Sequence, residues 1–199
     1  MHADRMNVMG TETAFSVLAM AKELERQGRK ISHFEIGDPD FKMPQNIIEA
    51  AKKALDQGFT HYTPAPGLME LREAIAQHVS QTRGIDVSAE ETIVFPGAKP
   101  GLFAALFALV HEGDAVVIPN PAFPIYESVV SAMGGKNVFV PLSEENDFRT
   151  TAQDVENAIT SKTKIIVLNS PHNPCGSSLT KQDVQEIAEI ARKKKIMVL

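Results

Sequence analysis

Five short apolar runs set the character of the later sequence: TIVFP at 92–96, AVVIP at 115–119, NVFVPL at 137–142, KIIVLN at 164–169 and IMVL at 196–199. They are rich in β-branched residues and apolar on both faces, which suits strands covered by helices on either side. Segments of helical periodicity alternate with them at 101–111, 124–133, 152–159 and 181–195, with Thr150 or Thr151 and then Thr180 as N-caps of the last two. Strands separated by helices require crossover connections. The expected fold class is therefore α/β, with a mainly parallel sheet and helices on both faces. Ahead of Glu91 the chain reads as helical and loop-rich. Helices are expected at 15–27, where Phe15, Leu18, Ala19 and Leu24 can share a face, and at 45–57 and 67–82. The Pro- and Gly-bearing stretches IGDPDF and YTPAPG separate them.

Composition narrows the function classes. With 199 residues, 43% hydrophobic and 23% charged, the chain can bury one substantial core. A net charge of −5, with Lys and Arg scattered, leaves no electrostatic footprint for nucleic acid. The one basic block, RKKK at 192–195, falls late in an expected helix, where cations complement the helix dipole. The longest apolar stretch, GLFAALFALV at 101–110, is too short to span a bilayer, and the first fifteen residues lack the apolar core of a signal peptide. Cys175 is the only cysteine, which rules out an internal disulfide and suits a reducing compartment. The expectation is a cytoplasmic protein without nucleic-acid or membrane partners.

In a sheet of this kind, ligands bind outside the carboxyl ends of the strands. Three strand exits therefore matter. In VFPGAKPGLFAAL a strand is expected to end at Phe95, a turn to follow at 96–100, and a helix to begin near Gly101. Backbone N–H groups at that helix start, with the small residues Gly97 and Ala98 and the neighbouring Lys99, would form an anion pocket. The plainer reading is a simple connection, and the spacing of a nucleotide P-loop is absent. In IPNPAFPIYESVV, prolines stiffen the loop around Phe123, which either stacks on a flat ligand ring or packs into the core. Tyr126 reads as structural, on the first turn of the next helix. In NSPHNPCG, Pro171 and Pro174 push the residues before them out of helical geometry. Asn173 then either offers its amide to a phenolate oxygen or acts as a turn-former on its own backbone. His172 reads as a surface residue, with no second ligand at metal-binding spacing. A phosphate cup, a stacking ring and an amide for a ring oxygen are the three handles of pyridoxal 5′-phosphate.

Five motifs in order, FEIGDPDF at 34–41, HYTPAPGLMELREAIA at 61–76, PGAKPGLFAAL at 96–106, PNPAFPIY at 119–126 and NSPHNPCG at 169–176, carry a family resemblance. The chain resembles the N-terminal half of a class I/II aminotransferase, a fold-type I pyridoxal-phosphate enzyme. Cys175 departs from the commoner Thr of that motif. The resemblance implies transfer of an amino group between an amino acid and a 2-oxo acid, and a homodimer. It puts Gly37 against the substrate carboxylate, Gly97, Ala98 and Lys99 at the cofactor phosphate, Phe123 on the pyridine ring and Asn173 at its ring oxygen. Phe123 and Asn173 thereby also border the substrate, and Tyr62 would reach towards the phosphate of the partner subunit. It further implies a division into residues 1–45, an arm, helix and substrate-side loop of a small domain, and 46–199, part of the large cofactor-binding domain.

The same resemblance puts the Schiff-base lysine and the aspartate that pairs with the pyridinium nitrogen after the IMVL strand, so no catalytic residue is expected among these 199. Lys162 and Lys164 precede a strand at its amino end, and Lys99 belongs to the phosphate turn. The expectation is a fragment inactive by itself, whose first strand, TIVFP, lacks its sheet neighbours. A non-catalytic cofactor-binding or partner-pairing fragment and a carbon–sulfur lyase of the same fold are the alternatives. A dinucleotide-binding domain is disfavoured by the missing glycine fingerprint.

Overall fold

The computed structural model describes residues 2–10 and 13–199. It comprises two compact units, one built on Ala98–Leu199 together with the first residues of the chain, the other Thr13–Gly97.

The first unit carries a four-stranded, wholly parallel sheet of order β2-β1-β3-β4, with β1 at Ala115–Asn120, β2 at Lys136–Pro141, β3 at Thr163–Ile166 and β4 at Met197–Val198. Each strand is joined to the next by a helix: α5 (Ile125–Ala132), α6 (Ala152–Ala158) and α7 (Lys181–Lys194), while α4 (Ala98–Leu109) leads into β1. The alternation of strand side chains creates two cores. Val116, Ile118, Ile165 and Val167 face Leu106 of α4 and Tyr126, Val129 and Val130 of α5. Val117, Val140 and Ile166 face Val155 of α6 and Ile187 and Ala191 of α7. Both faces are therefore covered, which is why the β1 residues Ala115–Pro119 are all buried and why the run reads as continuously apolar. Local signals fix the helix limits. Thr151 caps α6, and Thr180 with Asp183 forms a capping box on α7. Arg192, Lys193 and Lys194 fill the last turn of α7, where the dipole favours them.

In the second unit, helices α1 (Thr13–Arg26), α2 (Gln45–Asp56) and α3 (Met69–Arg83) occupy the expected positions. The anticipated α1 face is only partly covered: Leu18 and Leu24 are half-buried, but Phe15 is 59% exposed. The run TIVFP does not form a ladder strand. Thr92 is extended, but the run's backbone bonds go to loops and turns rather than to a strand: Thr92 N–H donates to the Ala89 carbonyl (3.1 Å), Val94 N–H to the Pro66 carbonyl (2.9 Å), and the Phe95 carbonyl accepts Gly97 N–H (2.9 Å). An apolar run becomes a strand only when a neighbour supplies the opposite half of the ladder. Instead, the buried Arg72 of α3 holds the start of this run, donating through Nε to the Thr92 carbonyl (2.9 Å) and through Nη2 to that of Ala89 (2.6 Å). Gly67 sits against the same segment with φ +105°, and a Cβ there would lie 2.9 Å from Val94 Cβ. Glycine is required at that point for both reasons.

Candidate functional site

The turn that opens α4 is shorter than the sequence suggested. Helix begins at Ala98 rather than near Gly101, so Ala98 and Lys99 lie in the first helical turn and only Pro96 and Gly97 remain as the turn. Pro100 is compatible with this, because an amide so near the helix start has no intrahelical acceptor and proline's lack of one costs little. Gly97 has φ +90° with nothing within 4 Å of a virtual Cβ, so glycine is needed there for backbone conformation rather than for space. The first-turn amides and the helix dipole leave the start of α4 electropositive.

Phe123 stands three residues beyond the end of β1. It is half-buried and packs partly on the α4–α5 core, so part of the packing reading holds while part of the ring stays accessible. Tyr126 meets it edge-on, with ring centroids 6.4 Å apart at 82°. Tyr126 itself is buried, and burial raises its phenol above the ordinary range. Lys99 Nζ lies 5.2 Å from the Phe123 centroid, which brings the start of α4 to the exit of β1.

Asn173 follows β3, the neighbour of β1, so its loop leaves the same end of the sheet. Its carboxamide makes no hydrogen bond to the described residues, and the residue is exposed. The turn-forming side chain is a different asparagine: Asn169 Oδ1 accepts the Asn173 backbone N–H at 2.7 Å. His172, expected at the surface, is buried. The chain folds back over it, His172 N–H donating to the Ser177 carbonyl and Gly176 N–H to the His172 carbonyl, each at 2.7 Å, while Cys175 N–H approaches Nδ1 at 3.4 Å. Burial lowers the His172 pKa, favouring the neutral ring that can accept at Nδ1. Leu179 N–H to Ser170 Oγ (3.0 Å) and Ser177 Oγ–H to the Phe148 carbonyl (2.7 Å) complete the frame. The peptide bonds before Pro121, Pro171 and Pro174 are cis.

Gly37 and Tyr62 belong to the unit Thr13–Gly97, and both are exposed. Just ahead of Gly37, His33 is gripped at both ring nitrogens, Nδ1 by Glu35 at 2.6 Å and Nε2 by Glu25 at 2.9 Å. The bond to Glu35, then that to Glu25, raises the His33 pKa, and the bond from His33 lowers that of Glu35.

The profile of the family Aminotransferase class I and II matches residues 29–199. This chain belongs to that family. The match spans all five motifs. Among relatives, the chain is 36% identical over 197 residues to an aspartate aminotransferase of Bacillus sp. (strain YM-2), covering 99% of this chain and 50% of that protein. It is 42% identical over 191 residues to an aspartate aminotransferase of Sulfolobus acidocaldarius, covering 94% of this chain and 48% of that one. The solved structure of aspartate aminotransferase from Thermus thermophilus with maleate superposes with a TM-score of 0.94 at 36% identity, over 100% of this chain and 52% of that chain. The chain thus spans about half the length of the aminotransferases it matches. The α/β fold expected from the sequence is the fold of these relatives. Among the described residues, no helix is long and apolar enough to cross a membrane, and no cluster of His, Cys, Asp and Glu could hold a metal ion. Within the NSPHNPCG motif of this chain, Asn169 went unread in the sequence. Its signal was its position, an asparagine closing an apolar strand four residues before a second asparagine.

Proposed function

We propose that this chain is a cofactor-binding portion of a pyridoxal 5′-phosphate-dependent aminotransferase, and that the complete protein transfers an amino group between an amino acid and a 2-oxo acid. One observation carries the reading: the Asn173 carboxamide stands exposed at a strand exit with its donors unused, while its own backbone N–H is held by Asn169. A carboxamide carried on a held backbone fits a negatively charged ring oxygen, and a partly accessible Phe123 ring beside it in the sheet order fits a flat heterocycle. When bound, the cofactor supplies the electron sink for chemistry at the amino acid's α-carbon.

The chain's own residues contribute binding and orientation. Gly97, whose N–H is held by the Phe95 carbonyl at 2.9 Å, shapes the turn; the start of α4 at Ala98 would take the phosphate on backbone N–H groups, and Lys99 adds positive charge. Phe123 stacks on the ring and excludes water from one side. The Asn173 amide donates to the ring oxygen and favours its ionised form. Following the family pattern, Gly37 adjoins the substrate carboxylate and Tyr62 serves the phosphate of a partner subunit in a homodimer. Residues 1–45 and 46–199 are assigned to small-domain and large-domain roles, a division by role rather than by compactness. Lys162 and Lys164 stand at the amino end of β3, away from Asn173, and receive no catalytic role. The isolated chain is assigned cofactor binding without turnover, and a reducing cytoplasm suits its single cysteine.

The test is a titration of the chain with pyridoxal 5′-phosphate, followed by absorbance. Saturable binding is expected, weakened about 10- to 100-fold by Asn173→Ala, as loss of a charge-assisted hydrogen bond implies. Equal binding by wild type, Asn173→Ala and Phe123→Ala would overturn the reading.

A further inference from the structure

We propose that Asn169 is the positioning residue for Asn173: its side chain, rather than any ligand, sets the direction in which the Asn173 carboxamide is presented. The inference rests on the cofactor reading above and adds to it a residue that touches no ligand.

The geometry is specific. Asn169 is half-buried, just past the end of β3, and its backbone is anchored by its neighbours: Val167 N–H donates to the Val117 carbonyl and Leu168 N–H to that of Leu199, each at 2.9 Å. Its carboxamide therefore starts from a fixed point on the sheet. Oδ1 accepts the Asn173 N–H at 2.7 Å, four residues on. Beyond Asn173, the loop is held by the two bonds of the His172 backbone and by Ser177 against Phe148. Asn173 is thus fastened on both sides at the backbone while its side chain is left exposed. With its N–H engaged, rotation of its peptide plane breaks a hydrogen bond. Without that bond, the Cα–Cβ vector of Asn173 is free to swing with the plane, and the carboxamide loses its aim. Asn169 is the element that converts a strand end into a defined amide direction. An aspartate at 169 keeps an acceptor oxygen at the same distance from the backbone, whereas an alanine does not.

The experiment uses the full chain and has two arms. Without ligand, hydrogen exchange at the Asn173 amide is followed by NMR, with circular dichroism verifying the fold of each variant. Asn169→Ala should speed exchange at least tenfold, and Asn169→Asp should leave it within about threefold of wild type. With 4′-deoxypyridoxine 5′-phosphate as the probe, which lacks the aldehyde and forms no covalent link, dissociation constants are measured for wild type, Asn169→Ala, Asn173→Ala and the double variant. Asn169→Ala should weaken binding about tenfold, and the double variant should bind no more weakly than Asn173→Ala alone, because the two residues act through one amide. Exchange unchanged by Asn169→Ala, or fully additive losses in the double variant, overturns the positioning role. Wild type that fails to bind, or Asn173→Ala that binds equally well, instead overturns the cofactor reading and this inference with it. That pattern differs from wild type and Asn173→Ala behaving as expected while Asn169→Ala binds normally, which sinks the positioning role alone.

Discussion

The ammonium of Lys99 lies 5.2 Å from the centroid of the Phe123 ring, so the first turn of α4 and the loop after β1 meet through a cation and an aromatic face. A contact of this kind at a partly exposed position is worth about 0.5–1 kcal/mol. It joins the residue assigned to the phosphate with the residue assigned to the ring.

Phe123→Leu should therefore weaken pyridoxal 5′-phosphate binding about 3- to 10-fold, because an aliphatic side chain keeps the volume but loses the π face. Phe123→Tyr should stay within about twofold. A titration series on the three proteins checks this, and equal affinities for all of them would remove stacking from the account.

Arg72 joins α3 to the carbonyls of Ala89 and Thr92 from a buried position. Arg72→Met keeps the apolar stem but leaves both carbonyls without their donor, at a cost of about 2–4 kcal/mol. Arg72→Lys should recover only part of that, since one ammonium cannot reproduce the spread of the guanidinium. Urea unfolding of the three proteins measures the difference.

Two histidines should respond to pH with opposite sign. The folded-state pKa of His33 is raised above 6.5 by Glu35 and Glu25, so its contribution to stability is complete below about pH 6.5 and fades as pH climbs through the raised value. The folded-state pKa of His172 is lowered by burial, so its contribution is complete above about pH 6.5 and fades as pH falls towards the lowered value. NMR titration of the ring protons should place His33 above and His172 below the ordinary 6.5. His172→Asn, which retains an acceptor near the position of Nδ1 without titrating, should flatten the acid side of the stability curve. The reverse order of the two midpoints would contradict both environments.

Phe103 and Phe107 stack on α4 at 5.8 Å with 42% and 61% of their surfaces exposed. Apolar area of this kind on a helix favours self-association. Light scattering of the isolated chain should show mass rising with concentration, and Phe103→Glu with Phe107→Glu should reduce it. A monomer at all concentrations in the unaltered protein would run against the expectation.

Much of the architecture was readable because its determinants are local. β-Branched runs and capping threonines stand in the chain beside the elements they define, and the parallel character of the sheet follows from the crossovers that alternate with them, whereas the order β2-β1-β3-β4 is set by tertiary packing. The failures lie where the partner of a group is not announced by its residue type. TIVFP has the composition of a strand and is expected to lack its sheet neighbours; without them it forms no ladder strand at all. Pro100 looks like a turn residue, yet a proline in a first helical turn is tolerated, and α4 starts ahead of it. His172 looked exposed between prolines, and only the return of Gly176 and Ser177 over it explains its burial. Asn169 was hidden as the polar end of an apolar run. The proposed site residues Gly97, Phe123 and Asn173 came from residue chemistry and resemblance, and the fold adds which asparagine side chain forms the turn and which makes no hydrogen bond to the described residues.

The hydrogen bonds that shape the segment from Asn169 to Leu179 mostly join residues three to nine positions apart, the bond from Ser177 to Phe148 reaching furthest. Closing such short loops costs little chain entropy, so this segment can take its form as soon as β3 docks beside β1, ahead of slower and more distant contacts. Its shape then rests chiefly on about ten consecutive residues, with Phe148 as its distant partner and the sheet as its anchor.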